Sequence, residues 1–351
     1  MALNSNKHLW KKWRLGFGFR PILSFLIVIL ISCTNESISA EAGTVESQNT
    51  EENSEMYEHL TTGNYISDII NHPAFKGFGE LLLTRDNNSG YYNTKLQNVS
   101  SLMPYHGYVN PGDVVDALNR MIDDADSGKT IFYSFYTDQQ KQFEPDKNYT
   151  GLFYLRGNPE APFAIVCPGG GFSYVGSLHE GFPIAKKISE SGLNAFVIRY
   201  RLGSGQKATE DLAAAISYIF RNAESLGVDT KYYSVWGGSA GARMAGDIAL
   251  SGVAAYGGEN LPKPASVVIA YTGQSSYSSD FSPAFITVSA NDWIANINVV
   301  ERRVKNLRNV GVDVEYRRYE SAGHGFGLGT GSDAEGWVDC AVKFWQQYIG
   351  E

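Results

Sequence analysis

From about residue 130 to the C-terminus the chain alternates short apolar runs with longer stretches that are apolar on one side only. The runs "TIFYSFYT" (130–137) and "YTGLFYLRG" (149–157) predict a pair of strands joined by a polar turn. Further strands are expected at "PFAIVCPGGG" (162–171), "LNAFVIRYRL" (193–202), "YYSVWGGS" (232–239), "ASVVIAYTG" (265–273), "PAFITVSAND" (283–292) and "VDVEYRRYE" (312–320). Between them lie helical patterns at 179–192, 209–227, 240–252, 298–311 and 333–350. Short apolar strands alternating with amphipathic helices specify an α/β fold, a mostly parallel sheet covered on both faces. In such sheets ligands bind beyond the carboxyl ends of the strands, so the loops there are where chemistry is sought.

The first 130 residues lack this rhythm. Residues 57–130 form an N-terminal extension with one clear helix, "NPGDVVDALNRMIDDADSG" (110–128). Asn110 suits its N-cap and Pro111 its first turn, Val114, Val115, Leu118, Met121 and Ile122 share a face, and Gly128 ends it. The extension is either scaffold packed on the main domain or a lid in which "MPYHGYVNPGD" (103–113), with Tyr105 and His106, closes one side of a site. Residues 33–56 are rich in Ser, Thr, Asn and Glu and read as a disordered tether. Residues 1–32 combine five Lys and Arg with the uncharged run "PILSFLIVILIS", an export signal. The following cysteine makes "LISC", which resembles a bacterial lipoprotein signal with Cys33 as the lipidated residue; an uncleaved signal anchor is the alternative. Either expectation places residues 131–351, the main domain, outside the cytoplasm, and the first attaches it to a membrane of the cell envelope.

Composition narrows the partners. Removing residues 1–32 takes five of 29 basic residues and none of the 37 acidic ones, moving the net charge from −8 to −13. So acidic a chain is a poor candidate for nucleic acid, and no nucleic-acid partner is expected, because that binding rests on Lys and Arg neutralising phosphates. Cys167 and Cys340 read as buried thiols in preference to a disulfide, since no disulfide framework surrounds them. No metal and no cofactor is expected.

The stretch "SVWGGSAGARMAG" (234–246) carries the chemistry. A strand ending near Trp236 and a helix beginning near Ala242 enclose Gly237-Gly238-Ser239-Ala240-Gly241, a G-x-S-x-G elbow. Such an elbow lifts its serine hydroxyl from the top of a sheet, with glycines where strand and helix approach closely. A serine needs a base, and the base needs an orienting group. Of six histidines, His324 in "ESAGHGFGLG" follows the last strand, and Asp292 follows the apolar run "FITVSA". Asp280 and Asp313 are less well placed, one in a polar loop and one at a strand start. The glycines of "CPGGGFSYVG" supply backbone donors for an oxyanion; neither a P-loop nor a dinucleotide spacing is present.

From about residue 130 onward these motifs resemble the α/β-hydrolases, nearest to the esterases related to hormone-sensitive lipases and to bacterial acetyl-xylan and feruloyl esterases. The resemblance implies the α/β-hydrolase fold, Ser239 as nucleophile, Asp292 as orienter and His324 as base and acid. It also implies an oxyanion hole from the backbone N–H groups of Gly170, Gly171 and Ala240. Pro168 departs from the pattern by standing where the lipase-like members carry histidine, which favours the carbohydrate-esterase relatives. The expected activity is hydrolysis of small acyl esters, acetyl groups on carbohydrate in particular. The alternatives are a prolyl-oligopeptidase-like peptidase, for whose β-propeller residues 57–130 are too few, and a surface binding protein on a hydrolase scaffold. Phe172, Tyr174, Trp293 and Phe326 flank the three loops as candidate substrate contacts or as ordinary wall packing.

Overall fold

A computed structural model describes residues 56–84 and 89–350. The leader, the tether and Cys33 lie outside the described residues. The strands are β1 (Phe132–Tyr133), β2 (Gly151–Leu155), β3 (Pro162–Cys167), β4 (Asn194–Arg199), β5 (Asp229–Gly238), β6 (Ser266–Ala270), β7 (Ala284–Ser289) and β8 (Val314–Tyr319). They make one sheet in the order β1-β2-β4-β3-β5-β6-β7-β8. Pairs from β4 through β8 are parallel, and β2 runs antiparallel to both β1 and β4. This is the α/β-hydrolase fold.

The helices are α1 (Ile66–Asn71), α2 (Pro111–Asp126), α3 (Asp138–Phe143), α4 (Phe182–Glu190), α5 (Gly205–Arg221), α6 (Ala223–Leu226), α7 (Ala240–Ser251), α8 (Ile297–Asn309) and α9 (Trp337–Gln346). Strands β2, β3, β4, β6 and β7 are buried at every position, as a sheet covered on both faces requires. Helix α2 begins as its sequence implies: the Asn110 side chain accepts the Gly112 N–H at 2.8 Å, and the apolar stripe from Val114 to Ile122 is buried. It packs on α4, and Phe75, Leu82, Leu96, Val99 and Leu102 continue the same core. Residues 56–130 therefore add a layer to the domain.

Three details differ from expectation. The β1–β2 connection is no simple turn but holds α3 and a 3₁₀ turn, because Thr137 caps α3 with a reciprocal Gln140 hydrogen bond. Helix α5 starts at Gly205, where the Ser204 hydroxyl caps the Lys207 N–H. Strand β5 runs on to Gly238 and α7 starts at Ala240, so the turn between them is Ser239 alone. Both remaining cysteines are free thiols, Cys167 fully buried. Among the described residues no helix is long and apolar enough to cross a membrane.

Candidate active site

Ser239 holds φ +50° and ψ −113°, a conformation that costs a non-glycine residue about 1–3 kcal/mol and persists only where its surroundings impose it. Here they do. The Ser239 N–H donates to the Ala270 carbonyl on β6 at 2.9 Å, while its own carbonyl accepts from Arg243 in the first turn of α7. A side chain at Gly237 would collide with the Gly241 backbone, and one at Gly241 with the Cys167 carbonyl. Those two glycines are what lets β5, α7 and β3 converge beneath the serine.

The structure brings Ser239, His324 and Asp292 together at the carboxyl ends of β5, β8 and β7. His324 Nε2 lies 2.9 Å from Ser239 Oγ, and Nδ1 lies 2.9 and 2.8 Å from the two Asp292 oxygens. Asp292 Oδ1 also accepts the Ile294 and Ala295 N–H groups at 2.8 and 2.7 Å, which holds the carboxylate in place beside the imidazole. Both side chains are sealed from water and the Tyr271 ring stands edge-on to the imidazole. Asp280 and Asp313 are elsewhere, the one paired with Lys263 and the other bonded to the Tyr348 hydroxyl.

The glycine loop after β3 lies against the serine: a Cβ on Gly169 would sit 3.0 Å from Ser239 Cβ. Its three N–H groups have different fates. Gly169 donates to Glu180 Oε2 at 2.5 Å. Gly170 (φ +127°) and Gly171 (φ +63°) have no acceptor among the described residues. Ala240 opens α7, where a first-turn N–H has no intrahelical partner. These are the donors the sequence singled out.

The aromatic contacts divide. Trp293 is 70% exposed with its ring centroid 6.4 Å from the His324 ring, and Phe172 is half-buried against Tyr200. Tyr174 and Phe326 are wholly buried, so they support the loops from behind and do not line the site as substrate contacts would. Tyr174 stacks on Tyr105, and Phe326 packs between Tyr271, Tyr319 and Trp337. Beside the triad opens a pocket of about 380 Å³ lined by Pro104 to Tyr108, Asn291, Trp293 and Ser321 to His324. The N-terminal segment is thus one wall of it: Gly107 N–H donates to the His324 carbonyl at 3.0 Å, and the Tyr108 hydroxyl to the Ser321 carbonyl.

Behind the site lies a buried polar cluster that sequence reasoning missed. A short π-helical turn, Ser177–Gly181, carries His179 and Glu180 inward. Glu180 Oε1 is 3.0 Å from His106 Nε2, and His179 Nε2 is 3.0 Å from the Gly325 carbonyl. Burial, reinforced by His106, pushes the His179 imidazole down to about 4, against the opposing pull of Glu180 and of backbone hydrogen bonds at Gly325 and Gly107. Burial opposes ionisation of Glu180, yet His106 and the Gly169 N–H outweigh it and hold the carboxyl down to about 2. The one signal in the sequence was a polar pair, His179-Glu180, inside an otherwise apolar helix start.

The family described as BD-FAE matches residues 154–265, the span from β2 through the elbow to the start of β6. An acetylxylan esterase of Xylanibacter ruminicola is 24% identical over 210 residues, covering 50% of this chain and 43% of that protein. The chain therefore spans less than half of that relative's length. Among solved structures, an acetyl ester-xyloside bifunctional hydrolase from Caldicellulosiruptor lactoaceticus superposes with a TM-score of 0.53 at 20% identity, over 62% of this chain and 97% of that one. MGS-M1, an alpha/beta hydrolase from a deep-sea metagenome library, superposes with a TM-score of 0.50 at 22% identity, over 57% and 93%. These structural likenesses show a shared fold.

Proposed function

We propose that this α/β-hydrolase-fold chain is a serine carboxylesterase that removes small acyl groups, acetyl in particular, from carbohydrate. The observation that carries the reading is the relay from Asp292 through His324 to Ser239, set beside two glycine N–H groups that have no acceptor among the described residues. Ser239 Oγ attacks the ester carbonyl carbon as His324 Nε2 takes its proton, and Asp292 holds the imidazole in the tautomer that can do so. The carbonyl oxygen becomes an oxyanion facing the N–H groups of Gly170, Gly171 and Ala240, each such donor being worth about 2.7–4 kcal/mol in the transition state. As the intermediate collapses, His324 gives the proton to the departing sugar oxygen, which leaves as a hydroxyl. Water, deprotonated by the same histidine, releases the acid from the acyl-enzyme.

The substrate class rests on the open pocket, whose exposed Tyr105, Tyr108 and Trp293 offer flat apolar surface to a sugar ring, and on the name borne by the curated relative. A fluorophosphonate probe should label Ser239 in the wild type and nothing in Ser239→Ala. Hydrolysis of acetylated xylan and of p-nitrophenyl esters from acetate to octanoate, set against peptide anilides, separates the esterase from a peptidase. Labelling absent altogether would leave a binding protein on a hydrolase scaffold. The chain is also proposed to be exported and lipid-anchored through Cys33, which detergent phase partitioning of wild type and Cys33→Ser tests; a wild type in the aqueous phase refutes it.

A further inference from the structure

Buried ion pairs are poor stabilisers. Desolvating a carboxylate costs several kcal/mol, and an apolar filling of equal volume is often as stable or more so. The pair of Glu180 and His106 has side chains only 1% exposed, and its 3.0 Å contact is too bent to count as a hydrogen bond for either atom. Stability alone is thus a weak reason for it to be there. Its surroundings suggest another. Glu180 Oε2 accepts the Gly169 N–H, and a Cβ on Gly238, the residue before Ser239, would sit 2.7 Å from that same oxygen. The carboxylate therefore touches both the glycine loop and the elbow. Gly169 is further tied by its carbonyl, which accepts the Gly176 N–H at 2.9 Å. The His106 ring is fixed in turn by the Tyr174 hydroxyl at 2.8 Å from Nδ1, and that hydroxyl also accepts the Tyr105 N–H.

We propose that Glu180 is a positioning residue for the oxyanion hole, and that His106, supplied by the N-terminal segment, is the partner that holds its carboxylate in place there. This deepens the esterase reading and rests on it. By engaging the Gly169 N–H, Glu180 sets the peptide planes that follow, leaving the Gly170 and Gly171 N–H groups free for an oxyanion. An ionised carboxylate so near would also oppose the negative charge that develops on the substrate. His106 Nε2, 3.0 Å from Oε1, is the polar group that faces it on that side. The low value of about 2 for Glu180 fits a carboxylate held in its ionised form by these partners. Glu180 touches no reacting atom; it acts through the loop.

The test is steady-state kinetics on p-nitrophenyl acetate, with the affinity of a trifluoromethyl ketone as a measure of the oxyanion hole. Glu180→Leu fills the volume but accepts no hydrogen bond. It should lower kcat by about 100-fold, in the range of losing one oxyanion donor, with KM within about twofold and ketone binding weakened in proportion. Glu180→Gln retains an acceptor for Gly169 and should keep activity within about fivefold. His106→Asn leaves the carboxylate unpaired and should lower kcat by about tenfold; adding Glu180→Gln to it should restore most of the loss. If Glu180→Leu fails to fold, the His106→Asn pair of results decides. Wild-type kcat in Glu180→Leu or in His106→Asn, or losses that fall on KM in place of kcat, overturn the inference while the esterase reading stands. A wild type that neither hydrolyses the ester nor reacts with a fluorophosphonate overturns both.

Discussion

His179 makes the fold measurably sensitive to mild acid. Its imidazole is 3% exposed, and burial with His106 nearby pushes it from an ordinary 6.5 down to about 4. A histidine depressed in this way binds its proton more readily unfolded than folded. Its contribution to stability is therefore complete above about 6.5 and is lost as the pH falls toward 4. At about pH 5 almost every unfolded imidazole carries a proton against roughly a tenth of the folded ones, which amounts to about 2 kcal/mol lost relative to about pH 7.5. That is a substantial share of the 5–15 kcal/mol that typically holds a domain together. Glu180 works in the same direction, but its loss falls between its ordinary 4.5 and about 2, below this window. The assay is urea unfolding of wild type and His179→Gln at the two pH values. Gln keeps a donor for the Gly325 carbonyl and has no proton to gain. The wild type should lose about 2 kcal/mol more than the variant on acidification. Equal losses would mean that the imidazole titrates alike in both states, and the reasoning from burial fails.

Ser239→Ala and His324→Ala should each abolish nearly all ester hydrolysis, about 10⁶-fold in kcat, and the double variant should be no worse, because the two act as one unit. Asp292→Asn should cost about 10⁴-fold while the protein remains folded by circular dichroism. Gly241→Ala forces a methyl group into the Cys167 carbonyl, so thermal unfolding should show a loss at or above the usual 1–3 kcal/mol of overpacking. Trp293→Ala removes an exposed ring: stability should stay within about 0.5 kcal/mol, while KM rises for acetylated xylo-oligosaccharides and not for p-nitrophenyl acetate.

The parts of this molecule that were legible from sequence share a cause. Ser239, Asp292 and His324 each follow a strand that the sequence pattern marks, so reading the strands located the loops that bring them together. The donors Gly170 and Gly171 were visible for the same reason, standing directly beyond β3. What escaped was long-range. Glu180 and His106 lie far apart in the chain, and neither hydrophobic period nor spacing announces that a carboxylate inside "HEGFPIAKK" meets a histidine from "MPYHGY". Burial misled in the opposite sense for Tyr174 and Phe326. Standing next to catalytic loops, they read as substrate contacts, but the turns at Phe172 (φ +57°) and Gly325 (φ +63°) carry the following side chains into the core. Exact element ends were local matters: the Ser204 cap moved the start of α5 earlier and the elbow proved to be one residue long.

The two rims of the sheet bear on how the molecule behaves in company. A free strand edge is a template onto which another chain can add. At one rim β1 offers only two residues. At the other, β8 reads Val-Glu-Tyr-Arg-Arg-Tyr, and the exposed Arg317 and Arg318 pair with Glu315, Glu301 and Glu320 on the two faces of the edge strand. A newcomer strand would find too short a ladder on one side and would have to strip water from a row of charges on the other. Crowding many copies together should thus raise their local concentration of active sites without seeding sheet-to-sheet aggregates.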